Sequence, residues 1–217
     1  WSMVSTGFMD TLASLIAGRD EPVVGQVSRW VRAKGDPRQE ASVMLGAERA
    51  SATDAALING TAGHALDFDE VSLGGHPSTV LVPAALAEGQ AVGATGAQVM
   101  MAYLVGYEVW AELFRREPDA YHTKGWHPTA VFGTVAAAAT SAHLRGLNVD
   151  QAQAALAIAA SMASGLIANF GTMTKPFHAG RAAANGLDAV RLAEAGLSAS
   201  PDALEHAGGF LQAISPR

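Results

Sequence analysis

The feature that most limits the possible folds is the alanine content of the apolar segments. Ala130–Ala142 and Ala152–Ile167 are the two most apolar stretches, and Ser, Thr, Gly or Gln interrupt both. Alanine has the highest helix propensity, and its small side chain lets neighbouring helices approach closely. Neither stretch reaches the roughly 18–20 strongly apolar residues of a membrane span. We therefore expect closely packed helices in a soluble protein.

Helical periodicity continues along most of the chain. Phe8, Leu12 and Leu15 recur at helical spacing, and Gly18 is a plausible stop. Further helices are predicted over Val23–Val31, Ala55–Leu66 (with Ser51 as the N-cap), Pro77–Gln90, Gly96–Arg115, Pro128–Leu144, a segment from Asn148 to Ser164, and Ala179–Ala195. Glu117–Gly125 is predicted to be a polar loop, and Ser42–Leu45 is too short to count as a strand. The prediction is an all-α fold in one domain, residues 1–217.

Charge and cysteine content exclude several functions. The formal net charge of −6 argues against a nucleic-acid partner, which normally requires a basic surface. The absence of cysteine excludes disulfides, thiolate catalysis and cysteine-ligated zinc. The first residues lack the basic and apolar regions of a signal peptide, so we expect a cytoplasmic protein.

Two similar segments place a histidine directly before a helix. His76-Pro77 and His127-Pro128 each follow a glycine-containing stretch and lead into an alanine-rich helix. Proline is favoured at the first helical position, so both histidines should lie at N-caps. There the partial positive charge suits a carboxylate ligand and should keep each imidazole neutral. The alternative is that His-Pro only starts a helix.

Two other segments carry charged residues near predicted helix ends. Asp67 and Asp69 follow a helix, with Phe68 between them, so one carboxylate should face inward and the other water. They suit a general base, a metal site or a solvated loop equally. Lys175 precedes Pro176 at a helix entry, where a cation is unfavourable unless an anion bridges it to the helix. His64 is expected only to orient Asp67 or to cap its helix.

These segments, in this order, resemble the MmgE/PrpD family, which includes 2-methylcitrate dehydratase, cis-aconitate decarboxylase and iminodisuccinate epimerase. The stretches that carry the resemblance cover nearly the whole chain: Asn59 to Asp69, Gly75-His76-Pro77-Ser78, Gly106-Tyr107-Glu108, His127-Pro128-Thr129 and Thr174-Lys175-Pro176-Phe177-His178-Ala179-Gly180. Asp69-Glu70 stands where relatives often have two aspartates.

The resemblance implies an all-helical domain followed by a smaller α/β lid, with the active site between them. It also implies a homodimer, no metal or organic cofactor, and a small polycarboxylate as substrate. Matched position by position, Asp67, His76 and His127 are expected to be catalytic. Lys175, Thr174 and His178 are expected to bind substrate.

Three interpretations follow from the sequence. The first is a lyase domain acting by acid–base catalysis, with the lid missing because the chain ends at Leu211–Arg217. The second is a non-catalytic helical dimerisation domain or an incomplete fragment. The third is a metallohydrolase in which Asp67, His76 and His127 form a 2-His-1-carboxylate site.

Overall fold

A computed structural model describes residues 1–116 and 120–215, and within them the chain is almost entirely helical. Its nine α-helices are α1 (Ser2–Gly18), α2 (Pro22–Ala33), α3 (Ala52–Gly63), α4 (Pro77–Val92), α5 (Gly96–Arg115), α6 (Pro128–Arg145), α7 (Val149–Met162), α8 (Thr174–Glu194) and α9 (Phe210–Ile214). Short 3₁₀ turns cover Tyr121–Lys124 and Ile167–Asn169. The all-α prediction is confirmed. The first residues of the predicted loop Glu117–Gly125 and the last two residues of Leu211–Arg217 lie outside the described part.

Three predicted details differ from the structure. One antiparallel pair, β1 (Ala41–Ser42) with β2 (Arg49–Ala50), lies where no strand was expected. Helix α3 starts after Ser51, the predicted N-cap, whose side chain accepts a hydrogen bond from the Asp54 backbone N–H (3.2 Å), but it ends at Gly63, three residues before the predicted Leu66. Helix α8 begins at Thr174 instead of Ala179, with Pro176 inside its first turn, where its missing N–H is harmless.

Helices α3 and α6 form the centre of the molecule. All residues of α3 and every residue of α6 from Pro128 to Ala142 are buried. A helix that is buried on all sides must have neighbours all round. Helices α4 and α8 pack against both α3 and α6, while α1 and α2 also cover α3, and α5 and α7 also cover α6. Alanine and glycine make this packing possible because larger side chains would hold the helix backbones apart.

The closest approach of α3 and α8 depends on two glycines. A Cβ atom added to Gly60 would lie 2.8 Å from the Gly180 Cα atom. A Cβ atom on Gly180 would overlap the backbone carbonyl oxygen of Leu57 and the hydroxyl of Thr61. The helices therefore meet backbone to backbone, and this contact fixes the start of α8 relative to the end of α3.

Within residues 1–116 and 120–215, none of the helices has the length and hydropathy needed to cross a membrane.

Candidate active site

The predicted site residues meet at one end of the helical bundle. The turn after α3 carries Asp67, and α8 carries Lys175 in its first turn. His76 and His127 are the N-caps of α4 and α6, as predicted. Pro77 and Pro128 disfavour a helical backbone at the residue before them, so each helix starts directly after its histidine. Neither imidazole makes a capping hydrogen bond.

Asp69 lies at the centre of the cluster, although the sequence placed only its neighbour Asp67 among the expected catalytic residues. Both carboxylate oxygens lie 3.0 Å from His64 Nδ1, and Oδ2 lies 3.1 Å from His76 Nδ1. Burial raises the pKa of Asp69, but the hydrogen bonds and charges of His64 and His76 outweigh it, so the pKa lies well below its ordinary value. Asp69 is thus an anion that fixes two imidazoles.

His64 has a different partner from the one expected. Its Nδ1 atom is 3.8 Å from the nearest Asp67 oxygen, farther than from Asp69. Its ring is 1% exposed and contacts the His76 ring, with centroids 4.5 Å apart. Nε2 has no hydrogen-bond partner among the described residues. His64 is the C-cap of α3, one of its two expected roles, and its contact with Asp67 is longer than that with Asp69 because α3 ends at Gly63 and the chain turns there.

Asp67 faces the opening of the cluster, as expected for one of the two aspartates. Its backbone has φ +57°, a left-handed conformation that aspartate adopts more readily than most residues. Its side chain is 54% exposed and accepts a 2.6 Å hydrogen bond from Lys175 Nζ. Burial raises the pKa of Asp67, and the larger combined effect of Lys175, His64 and His76 lowers it. The anion expected beside Lys175 is therefore the protein's own carboxylate.

His127 and His178 form the second half of the cluster. Their Nδ1 atoms are 3.2 Å apart, so one ring donates to the other. Burial, followed by the nearby His64, His178, Lys175 and His76, lowers the pKa of His127 to about 2. Burial, followed by His64, also lowers the pKa of His178. His127 is therefore neutral, as expected for a histidine at a helix N-cap, but burial contributes more to the low pKa than any other cause.

Phe170 and Thr174 complete the surroundings of this half. The Phe170 ring contacts His127 edge-on (centroids 4.8 Å apart), and Lys175 Nζ lies 5.1 Å from its centroid. Isolated aromatics carried no signal in the sequence, so Phe170 was missed. Thr174 is half-buried beside a cavity that His178 also lines. Among the described residues, Thr174 makes no hydrogen bond with either aspartate.

A metal-binding set is present, but it differs from the one considered from the sequence. Ligand atoms of His64, Asp67, Asp69 and His76 all lie within 4.8 Å of one another. His127 is not in this group, so the expected set of Asp67, His76 and His127 is only partly assembled.

The arrangement therefore combines a cation, two carboxylates and four imidazoles at one end of the bundle. Such a site is able to bind an anionic substrate and to move protons.

Comparisons with known proteins identify the family of this chain. A family model described as the MmgE/PrpD N-terminal domain matches residues 1–217. The cis-aconitate decarboxylases of Mus musculus and Homo sapiens are each 37% identical over 164 residues, 73% of this chain and 34% of the relative. Cis-aconitate decarboxylase from Aspergillus terreus is 33% identical over 176 residues, 77% of this chain and 35% of the relative. The alignments thus span about a third of the length of these curated relatives. The match over the whole chain shows that it belongs to the MmgE/PrpD family, as an N-terminal domain.

Proposed function

We propose that this chain is the substrate-binding helical domain of a lyase that acts on a small di- or tricarboxylate. The observation that carries the proposal is the position of Lys175, a cation that faces a partly exposed carboxylate next to a cluster of imidazoles. Cis-aconitate is the first substrate to test, because the relatives are named for it. 2-Methylcitrate, which would be dehydrated, is the second.

Substrate binding begins at Lys175. An incoming carboxylate competes with Asp67 for the ammonium group, which lies at the start of α8 where the free backbone N–H groups also favour an anion. The exposure of Asp67 makes this exchange possible, since its carboxylate can be solvated when it is displaced. Thr174 and His178 line the adjoining cavity and bind other parts of the substrate.

Proton transfer falls to His127 and His76. His127 is neutral in the unliganded site, and an anionic substrate beside the ring raises its pKa because the negative charge stabilises the imidazolium. Substrate binding therefore prepares His127 to exchange a proton with a substrate carbon. His76, fixed by Asp69, is placed for the second proton transfer. Lys175 and the helix N-termini stabilise the enolate charge that develops.

The experiment is to incubate the purified protein separately with cis-aconitate and with 2-methylcitrate and to follow both by NMR. We expect loss of a carboxyl group from the first or loss of water from the second. Turnover of neither acid, by a protein that is folded and binds them, would favour a non-catalytic helical domain instead. The homodimer inferred from the family resemblance is a separate proposal, which sedimentation tests.

A further inference from the structure

A cavity of ≈ 240 Å³ lies beside the histidine cluster, and two of its lining residues, Thr174 and His178, are those proposed above to bind substrate. One wall is a face of α8 formed by Thr174, His178, Arg181 and Asn185. These residues are spaced by three or four positions, so their side chains lie along one side of the helix. Residues 164–166 and Thr134 of α6 lie opposite. His178 belongs to this cavity and also contacts His127, so the cavity adjoins the candidate active site.

Arg181 gives the cavity a positive charge. It is half-buried and makes no hydrogen bond or ion pair with any residue in the described part of the chain. None of the described residues that line the cavity is a carboxylate, so none of them neutralises the guanidinium group, which is always protonated. A planar guanidinium binds a carboxylate through two parallel hydrogen bonds. This wall therefore suits a carboxylate ligand.

Asn185 has a buried side-chain oxygen that lacks a hydrogen-bond donor. It is only 5% exposed, and its Nδ2 donates to the Met162 backbone oxygen at 3.1 Å. Because a carbonyl oxygen can only accept, this contact fixes the amide orientation and leaves Oδ1 as the free atom. Oδ1 is buried and has no partner among the described residues. A buried acceptor without a donor is unfavourable, so a ligand hydroxyl at this position would satisfy it.

We propose that this cavity binds a small 2-hydroxycarboxylate, with its carboxylate on Arg181 and its hydroxyl donating to Asn185 Oδ1. The volume suits a four-carbon acid, since drug-sized ligands occupy roughly 300–1,000 Å³. The inference rests on the proposed function, since it adds Arg181 and Asn185 to the cavity wall that Thr174 and His178 already provide for substrate.

Isothermal titration of the purified protein with L-malate and with succinate tests the site, because the two acids differ only by one hydroxyl group. We expect malate to bind about three- to tenfold more tightly, the effect of one hydrogen bond. Arg181→Gln should weaken the binding of both acids about tenfold or more, since it removes a charge-assisted pair. Arg29→Gln, which changes an exposed arginine of α2, should alter neither. Asn185→Ala should remove the preference for malate.

Equal binding of the two acids by the wild-type protein, or malate binding by Arg181→Gln that matches the Arg29→Gln protein, would overturn the proposal. The wild-type ratio decides the hydroxyl contact even if Asn185→Ala does not fold. Binding is measured without turnover, so an absence of lyase activity would count against the proposed function and leave this site intact. Conversely, if the wild-type protein shows lyase activity and Arg181→Gln binds malate with unchanged affinity, the hydroxycarboxylate site is refuted and the proposed lyase function stands.

Discussion

Lys175 Nζ lies 2.6 Å from Asp67 Oδ2, although 108 positions separate the two residues in the chain. The contact joins the first turn of α8 to the turn that follows α3. Lys175 is the more enclosed partner, with 15% of its side chain exposed against 54% for Asp67. The pair is therefore an ammonium group held inside the site by a carboxylate that can move into solvent.

Replacing Lys175 by glutamine is expected to affect activity far more than stability. Turnover of the accepted polycarboxylate should fall about a hundredfold or more, the usual loss when one charge-stabilising donor is removed from an active site. The free energy of unfolding should change by no more than about 1 kcal/mol, because one partner of the ion pair is largely exposed. Steady-state kinetics and urea unfolding measure the two quantities.

Lys124→Gln is the matched control for that substitution, because Lys124 is exposed on the 3₁₀ turn before α6. It should leave both turnover and stability unchanged. Equal activity of the Lys175 and Lys124 variants would mean that Lys175 does not bind the substrate.

The buried His127 is expected to make the protein less stable in acid. Its pKa is about 2 in the folded state and near 6.5 when unfolded, so the unfolded chain binds the extra proton first. The contribution of the neutral His127 ring to the free energy of unfolding is fully present above pH 6.5 and is lost progressively as the pH falls towards 2. The loss should reach about 1.4 kcal/mol per pH unit for this one group.

Urea unfolding at pH 7.5, 6.5 and 5.5 measures this dependence. His127→Gln should show a shallower decline below pH 6.5 than the wild-type protein, whatever its stability at neutral pH. His143→Gln, which changes an exposed histidine near the end of α6, should keep the wild-type slope. Parallel slopes for all three proteins would show that His127 is not held neutral by the fold.

The parts of the site that the sequence predicted depend on local chemistry. Pro77 and Pro128 place His76 and His127 at helix starts because proline restricts its own backbone and that of the preceding residue. The same local reasoning predicted most helix bounds and the exposure of one aspartate beside Phe68. Neither prediction requires knowledge of how the helices pack.

The parts that could not be predicted depend on packing between distant segments. His64 lies closer to Asp69 than to Asp67 because the chain leaves α3 at Gly63 and turns through a left-handed Asp67. Lys175 reaches Asp67 because α3 and α8 pack closely together. That close packing depends on Gly60 and Gly180, and the sequence does not show that these two glycines meet. Burial of His127 likewise comes from its neighbours in three dimensions.

The contact between Gly60 and Gly180 predicts a strong effect of one methyl group. Gly180→Ala would force α8 away from the Leu57 carbonyl oxygen, so the free energy of unfolding should fall by about 1–3 kcal/mol or more. Activity should fall as well, because α8 carries Lys175 and His178. Gly25→Ala is the control, since its added methyl on α2 meets no atom within 4 Å and should stabilise the helix by about 0.5–1 kcal/mol. Thermal and urea unfolding of both variants test the prediction, which fails if Gly180→Ala is as stable as wild type.

Removal of divalent metal is expected to leave activity unchanged, because the four residues that could hold a metal ion already pair with one another or with Lys175. Asp69 pairs with His64 and His76, and Asp67 pairs with the Lys175 ammonium group, which would repel a divalent ion. Dialysis against EDTA should therefore preserve turnover. Because Lys175→Gln removes the repelling charge, this variant should bind added Zn²⁺ more tightly than either the wild-type protein or Lys124→Gln. Titration with Zn²⁺ and metal analysis of the dialysed protein measure both effects. Activity that disappears on chelation and returns with Zn²⁺ would instead support the metalloenzyme, with His64, Asp67, Asp69 and His76 as its ligands.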